Sequence, residues 1–187
     1  MKIGVDIDDT ITNSWENIIP YYSKIFNIDI KKLENSRPYY YAIKDKISLE
    51  EYYEKLLSLY DKFSTIVPLK DNVKEIIDKI YEEGHTITFI TARGKEHTDA
   101  YKSTKEYLDR HHIKYDKLIV NAHDKAKVCK EEKIELFIDD SIKHCTSVLN
   151  EGIDVLMFET KYNKEEKKPK HVKNWDEIYE YLKKQVT

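Results

Sequence analysis

From residue 69 onward the apolar positions follow two alternating rhythms. Val73, Ile76, Ile77, Ile80 and Tyr81 recur at three- and four-residue steps, which puts them on one stripe of a helix. Asp71 precedes that stripe as its expected N-terminal cap, and Gly84 follows as its stop. Thr86 to Thr91 (TITFIT) then reads as a strand, since β-branched residues pack well on a pleated surface. Arg93 and Gly94 mark a turn, and a long polar helix is expected to run through Arg110. Lys117 to Val120 predicts the next strand, and a short helix starts near Lys125. Glu135 to Ile138 predicts another strand, a helix closes at Gly152, and Asp154 to Phe158 makes a further strand. Trp175, Ile178, Tyr179 and Leu182 form the stripe of a final amphipathic helix. Short apolar runs alternating with helices are the signature of an α/β protein with a parallel sheet covered by helices.

Lys2 to Ile7 (KIGVDI) is the first strand, yet its successor begins only after residue 85, too far for one plain crossover. The pattern therefore predicts an insertion. Ser14 to Phe26 and Ser48 to Phe63 read as helices, separated by the turn-like NSRPYYY around Pro38. The expected organisation is a core of residues 1–12 and 68–187 with a helical cap over 13–67. The cap holds eight of the fifteen tyrosines, besides Trp15, and no glycine. Lys161 to Lys170 (KYNKEEKKPK) reads as a solvated charged loop.

Composition narrows the partners. Lys and Arg number 32 against 35 Asp and Glu, a formal charge of −3, so bulk charge offers no footprint for a nucleic-acid polymer or an anionic membrane. No apolar run approaches the roughly 18 residues needed to cross a bilayer. The first hydrophobic stretch is broken at once by Asp6, Asp8 and Asp9, unlike a signal peptide. Cys129 and Cys145 have neither CxxC nor Cys/His ligand spacing, so no disulfide is expected and the cytoplasm is the expected location.

In an open parallel sheet the ligand crevice lies beyond the carboxyl ends of the strands. Strand one delivers Asp6, Asp8, Asp9 and Thr10, and the second strand delivers Thr91, Ala92 and Arg93. Asp124, Lys125 and Lys127 follow the third, and Asp139 and Asp140 end the fourth. So many carboxylates in one crevice repel each other unless a cation is present. Hard oxygens suit Mg²⁺, which takes one or two carboxylates together with waters and phosphate oxygens; zinc would want the His or Cys that these strand ends lack.

DIDDT at strand one, Thr91 at strand two, a lysine before strand four and Asp139-Asp140 at its end together resemble the four motifs of the haloacid dehalogenase phosphohydrolase superfamily. DIDDT, TAR, FIDDS and the C-terminal NWDEIYEYL are similar to its 5′-nucleotidase C group, which includes deoxyribonucleotidases. The resemblance implies a Rossmann-like parallel sheet flanked by helices, with a small helical cap inserted after strand one. It implies a Mg²⁺-dependent phosphomonoesterase acting on a small phosphomonoester, a nucleoside or deoxynucleoside monophosphate. Asp6 would attack phosphorus and become an aspartyl phosphate, and Asp8 would serve as general acid and base. The Mg²⁺ ligands would be Asp6, the Asp8 main-chain carbonyl and Asp140, with Asp139 supporting. Thr91 and the backbone N–H groups near Ala92 would bind phosphoryl oxygens, and Arg93 would help bind phosphate or contact the cap. Lys125 and Lys127 both fit the charge-neutralising lysine, and Lys125 is preferred because it sits at the expected helix start. Thr10 would orient the nucleophile loop.

Plainer readings stand beside these. Ser141 reads as an N-terminal helix cap, and His123 as an ordinary loop histidine. Tyr39, Tyr40 and Tyr41 beside Arg37 could stack on a nucleobase, as could Trp15, but an AT-rich coding bias and cap packing also account for them. A sugar-phosphate phosphatase is the alternative within the superfamily, because the four motifs read phosphate and metal rather than the rest of the substrate. A receiver domain would carry its phosphorylated Asp after the third strand and lack the insertion. A catalytically silent phosphoryl-binding relative would be expected to lack Asp6 or Asp8, and both are present.

Overall fold

The computed structural model describes residues 1–34 and 46–185. Six parallel strands form one sheet in the order β3-β2-β1-β4-β5-β6. They are β1 (Lys2–Val5), β2 (Thr86–Ile90), β3 (Lys117–Ile119), β4 (Leu136–Asp139), β5 (Asp154–Phe158) and β6 (Lys170–Val172). The strand order reverses between β1 and β4, so the crevice rule points to the ends of those two strands.

Among the described residues, three helices lie between β1 and β2 that belong to the insertion: α1 (Ser14–Phe26), α2 (Ile30–Glu34) and α3 (Leu49–Phe63). Five more serve the sheet: α4 (Val73–Glu82), α5 (Ala100–Arg110), α6 (Lys125–Glu132), α7 (Ile142–Asn150) and α8 (Trp175–Gln185). Apolar side chains of α4, α5 and α8 pack with Ile3, Val5 and Ile87 of the sheet, whereas Ala126 and Cys129 of α6 and Cys145 and Val148 of α7 pack with Phe137 and Met157. These are separate clusters, as right-handed crossovers on either side of a switch point require. Gly4 makes the second cluster possible, because a Cβ there would stand only 3.0 Å from the Phe137 ring and 3.1 Å from Ile134.

The insertion has its own core of Trp15, Ile18, Ile19, Tyr22, Phe26, Tyr52, Leu56, Leu59 and Phe63. Two strand-like crossings tether it. Lys70 donates its N–H to the Ile11 carbonyl (2.9 Å), and Asn13 donates to the Pro68 carbonyl (2.9 Å).

Several expectations need correction. Asn72, not Asp71, immediately precedes α4; it is in the left-handed region (φ 60°) and its side chain makes no capping bond. The polar helix after Gly94 begins only at Ala100, where the Asp99 carboxylate accepts the Lys102 N–H (2.9 Å). The charged run 161–170 is not wholly solvated, since Asn163 is 1 % exposed and Lys170 opens β6. The short helix α2 has too few residues to show a periodic stripe. Cys129 and Cys145 are buried free thiols, each pushed upward in pKa by burial. Tyr39, Tyr40, Tyr41 and Arg37 lie outside the described residues. Among the described residues no helix is long and apolar enough to cross a membrane.

Candidate active site

The chain leaves β1 and turns sharply at Asp9, whose φ of 63° is the left-handed conformation that Asp tolerates better than most residues. The Asp9 carboxylate accepts the Trp15 N–H (2.8 Å) at the start of α1. From the far end of the chain, the Trp175 indole donates to the Thr10 carbonyl (3.1 Å). The NWDEIYEYL segment thus fastens the turn that carries the acids.

Asp6 stands at the switch point, its N–H bonded to the Ile138 carbonyl (2.9 Å) and its Oδ2 accepting from the Thr10 hydroxyl (3.4 Å). Lys125, the first residue of α6, is 2 % exposed and donates to both Asp6 Oδ1 and Asp139 Oδ2, the latter at 2.6 Å. The other Asp139 oxygen accepts the Ser141 N–H at 2.7 Å. Asp6, Asp139 and Asp140 are all buried, and each offers a carboxylate oxygen within 4.8 Å of the others. Burial pushes the Asp6 carboxyl up to about 6; Lys125 pulls it back and Asp139 and Asp8 add to the rise. Lys125 is raised despite its burial, because two carboxylates surround it.

Asp8 faces a different partner. Arg93 Nε donates to Asp8 Oδ2 and Nη2 to Oδ1, both at 2.8 Å, a bidentate fork. Ser14 Oγ adds a third bond to Oδ1 (2.6 Å). Burial pushes the Asp8 carboxyl up, but the Arg93 charge and hydrogen bonds outweigh it and hold Asp8 well below the usual carboxylate range. A group poised to donate a proton near neutral pH would be tuned the other way.

Thr91 is 1 % exposed, and its hydroxyl accepts the Arg93 N–H (3.2 Å). Thr91, Ala92, Arg93, Lys125 and the acids Asp6, Asp8, Asp9, Asp139 and Asp140 line one cavity. Its opposite wall comes from the insertion: Trp15, Ile18, Tyr22, Tyr52, Tyr60 and Phe63. The Tyr22 and Tyr52 hydroxyls pair at 3.2 Å within that wall.

The structure brings Lys125 to the acids and leaves Lys127 exposed beside Glu131. His123 pairs with Asn121 (2.9 Å) and is not among the cavity-lining residues, while Ser141 caps α7 through the His144 N–H. Sequence reasoning did not single out Ser14, Glu96 or His144, which also line the cavity. For Ser14 the usable signal was its place at the first turn after the acidic loop; His144 could have been found as the residue one helical turn beyond Asp140.

The three-acid cluster fits a hard divalent cation, Mg²⁺ above all, because its donors are all carboxylate oxygens held close together, with Lys125 bridging two of the three, Asp6 and Asp139. The switch-point placement of that cluster on the polar side of the cavity is that of a Mg²⁺-dependent phosphohydrolase.

Comparison with known proteins agrees. Structures of a predicted phosphatase from Clostridium acetobutylicum (TM-score 0.72, 13 % identity, 98 % of both chains covered) and a haloacid dehalogenase-like hydrolase from Streptococcus pneumoniae (TM-score 0.66, 15 % identity, 97 % of both) share the fold. A nucleotidase of Clostridium acetobutylicum is 30 % identical over 184 residues, spanning 96 % of this chain and 92 % of the relative. The sequence profile described as 5′ nucleotidase, deoxy (pyrimidine), cytosolic type C matches residues 1–186. With acids, lysine and cavity so arranged, the chain belongs to that family, within the haloacid dehalogenase phosphohydrolase fold.

Proposed function

We propose that the protein is a nucleotidase that hydrolyses nucleoside or deoxynucleoside monophosphates. The observation that carries this reading is the cavity itself, acidic and cationic on its floor and aromatic on its wall. Aromatic faces hold a planar base without demanding its identity, and the paired Tyr22 and Tyr52 hydroxyls offer polar contacts at the same wall. The family profile and the relative of 30 % identity support the same substrate class. In this reading the insertion is a cap over residues 13–67, the substrate is a monomeric nucleotide, and the enzyme works in the cytoplasm, where buried free Cys129 and Cys145 stay reduced.

A carboxylate oxygen of Asp6 attacks phosphorus, and the bond from phosphorus to the ester oxygen breaks. Asp8 gives its proton to that leaving oxygen. Water then attacks the aspartyl phosphate, loses a proton to Asp8, and displaces Asp6, releasing inorganic phosphate. Thr91 and the N–H groups near Ala92 hold the non-bridging oxygens, and Lys125 balances the charge that gathers at the acids. The incoming phosphate competes for the Arg93 guanidinium, which loosens its fork on Asp8 and lets that carboxyl take a proton. Asp6, the Asp8 carbonyl and Asp140, supported by Asp139, would hold Mg²⁺, which supplies the positive charge that lets an anionic carboxylate meet an anionic phosphate.

The test is phosphate release from a panel of ribonucleotides, deoxynucleotides and sugar phosphates, with Mg²⁺ and with chelator. Nucleoside monophosphates should be preferred, chelator should silence the reaction, and Asp6→Asn should lower kcat by at least about 10⁴-fold, as removing a nucleophile does. Preference for sugar phosphates would overturn the nucleotidase assignment, and undiminished turnover by Asp6→Asn would remove the covalent route.

A further inference from the structure

Asn163 lies in the charged stretch after β5, yet it is 1 % exposed and its carboxamide is fully engaged in hydrogen bonding. Its Nδ2 donates to the main-chain carbonyls of Asp140 and Phe158, both at 2.8 Å, and its Oδ1 accepts the Thr160 N–H at 2.8 Å. Asp140 is one residue past the end of β4, and Phe158 is the last residue of β5. The ladder between these strands stops at Asp139 opposite Met157, so the Asp140 carbonyl has left the sheet. Asn163 supplies the partner that a neighbouring strand would otherwise provide. A buried carbonyl without one would be costly and would be driven to turn elsewhere.

Turning the Asp140 carbonyl rotates the residue's own backbone, and the carboxylate moves with it. That carboxylate belongs to the cluster in which Asp6, Asp139 and Asp140 oxygens lie within 4.8 Å of one another. The geometry points to Asn163 as a positioning residue for the cation site: by fixing the Asp140 backbone, it holds the Asp140 carboxylate where a divalent cation needs it. Groups that orient metal ligands from behind commonly govern affinity nearly as strongly as the ligands themselves. Thr160 completes the brace, since its N–H bonds Asn163 Oδ1 and its hydroxyl accepts the Tyr162 N–H at 3.3 Å. Tyr162 packs against the aromatic core of the insertion, so it serves as a control: it belongs to the same loop, while the amide that donates to the Asp140 carbonyl is that of Asn163.

The inference rests on the acidic cluster binding Mg²⁺, and titration calorimetry of Mg²⁺ into the full chain tests both at once. Wild type should bind, and Asn163→Ala should bind at least about tenfold more weakly. Asn163→Asp keeps the acceptor for Thr160 but loses both donated bonds, so it should weaken binding as well and carries the test if the alanine variant does not fold. Tyr162→Ala should bind like wild type. The Mg²⁺ concentration for half-maximal phosphate release should rise in the Asn163 variants, with kcat largely recovered at saturating Mg²⁺. If Asn163→Ala or Asn163→Asp melts at lower temperature but binds Mg²⁺ like wild type, Asn163 is only a structural tie and the proposal fails. Absence of binding by wild type would overturn the cation site, and the role of Asn163 with it.

Discussion

Two ion clusters line the same cavity and solve the problem of buried charge in different ways. On one side Lys125 sits between Asp6 and Asp139, with side-chain exposures of 2 %, 8 % and 1 %. On the other, the Arg93 fork grips Asp8, whose side chain is 35 % exposed toward the cavity. The first is buried throughout, so removing one of its charges strands the others. In the second only Asp8 is open to the cavity, the Arg93 side chain being 3 % exposed, and in the proposed mechanism an anion entering the cavity competes with Asp8 for the guanidinium. A buried cluster suits groups that must be fixed in place before substrate arrives, and a half-open one suits a group that must gain and lose a proton.

The sharpest way to break this contrast is Lys125→Met, which keeps the length and removes the charge. Two buried carboxylates would then face each other without compensation, and stability should fall by about 3–5 kcal/mol. Phosphate release should drop by at least about 10²-fold. Mg²⁺ should restore part of the lost stability, because a cation bound only by the folded chain shifts the equilibrium toward it. Denaturant melts with and without Mg²⁺ give the answer; wild-type stability in the metal-free variant would mean that the cluster is not held by that lysine.

Arg93→Gln should cost less, roughly 1–2 kcal/mol, since water reaches the Asp8 carboxylate left behind more readily than it reaches Asp6. Its larger effect belongs to the chemistry. Loss of the guanidinium removes the main downward pull on the Asp8 carboxyl. The limb of the pH–rate profile carried by Asp8 should therefore move to higher pH, and KM for a nucleotide should rise. An unmoved limb would separate Arg93 from the control of Asp8.

How far these clusters could be foreseen follows from how local their causes are. Asp6, Thr91 and Asp139 each end a run of apolar β-formers, and the crevice rule then gathers them from strand order alone. Lys125 could be preferred over Lys127 because it sits at the expected helix start, and α6 does begin there. Partner choice was not legible: nothing in TARG says that Arg93 will fork onto Asp8, 85 residues earlier, rather than onto phosphate or the cap. Asn163 was hidden inside a lysine- and glutamate-rich run, since its burial depends on the short edge strand β6 that follows. The Trp175 bond to Thr10 spans 165 residues and depends on α8 returning across the sheet.

The half-open cluster also has a back wall, and it supplies the smallest predicted effect. His97, 5 % exposed, follows the Arg93 turn and lies against α3 of the insertion: its ring centroid is 5.6 Å from that of Tyr60, and its Nδ1 is 3.9 Å from an Asp61 oxygen. The Asp61 carboxylate is already taken by the Thr98 N–H (2.8 Å) and hydroxyl (2.5 Å), and neither His97 ring nitrogen has a hydrogen-bond partner. Burial, then the Arg93 charge, push the His97 pKa from 6.5 down to about 4, against a smaller upward pull from Asp8 and Asp61. The unfolded chain takes up this proton near pH 6.5 and the folded chain does not, so His97 makes stability fall as pH drops from about 6.5 to about 4 and level off below. One such group contributes at most about 1.4 kcal/mol per pH unit across that window. Urea melts at pH 7, 6 and 5 should show wild type losing more stability than His97→Leu, which has no proton to take up. Parallel losses in the two proteins would mean that His97 binds its proton as well in the folded chain as in the unfolded one, and that burial behind Arg93 does not hold it neutral.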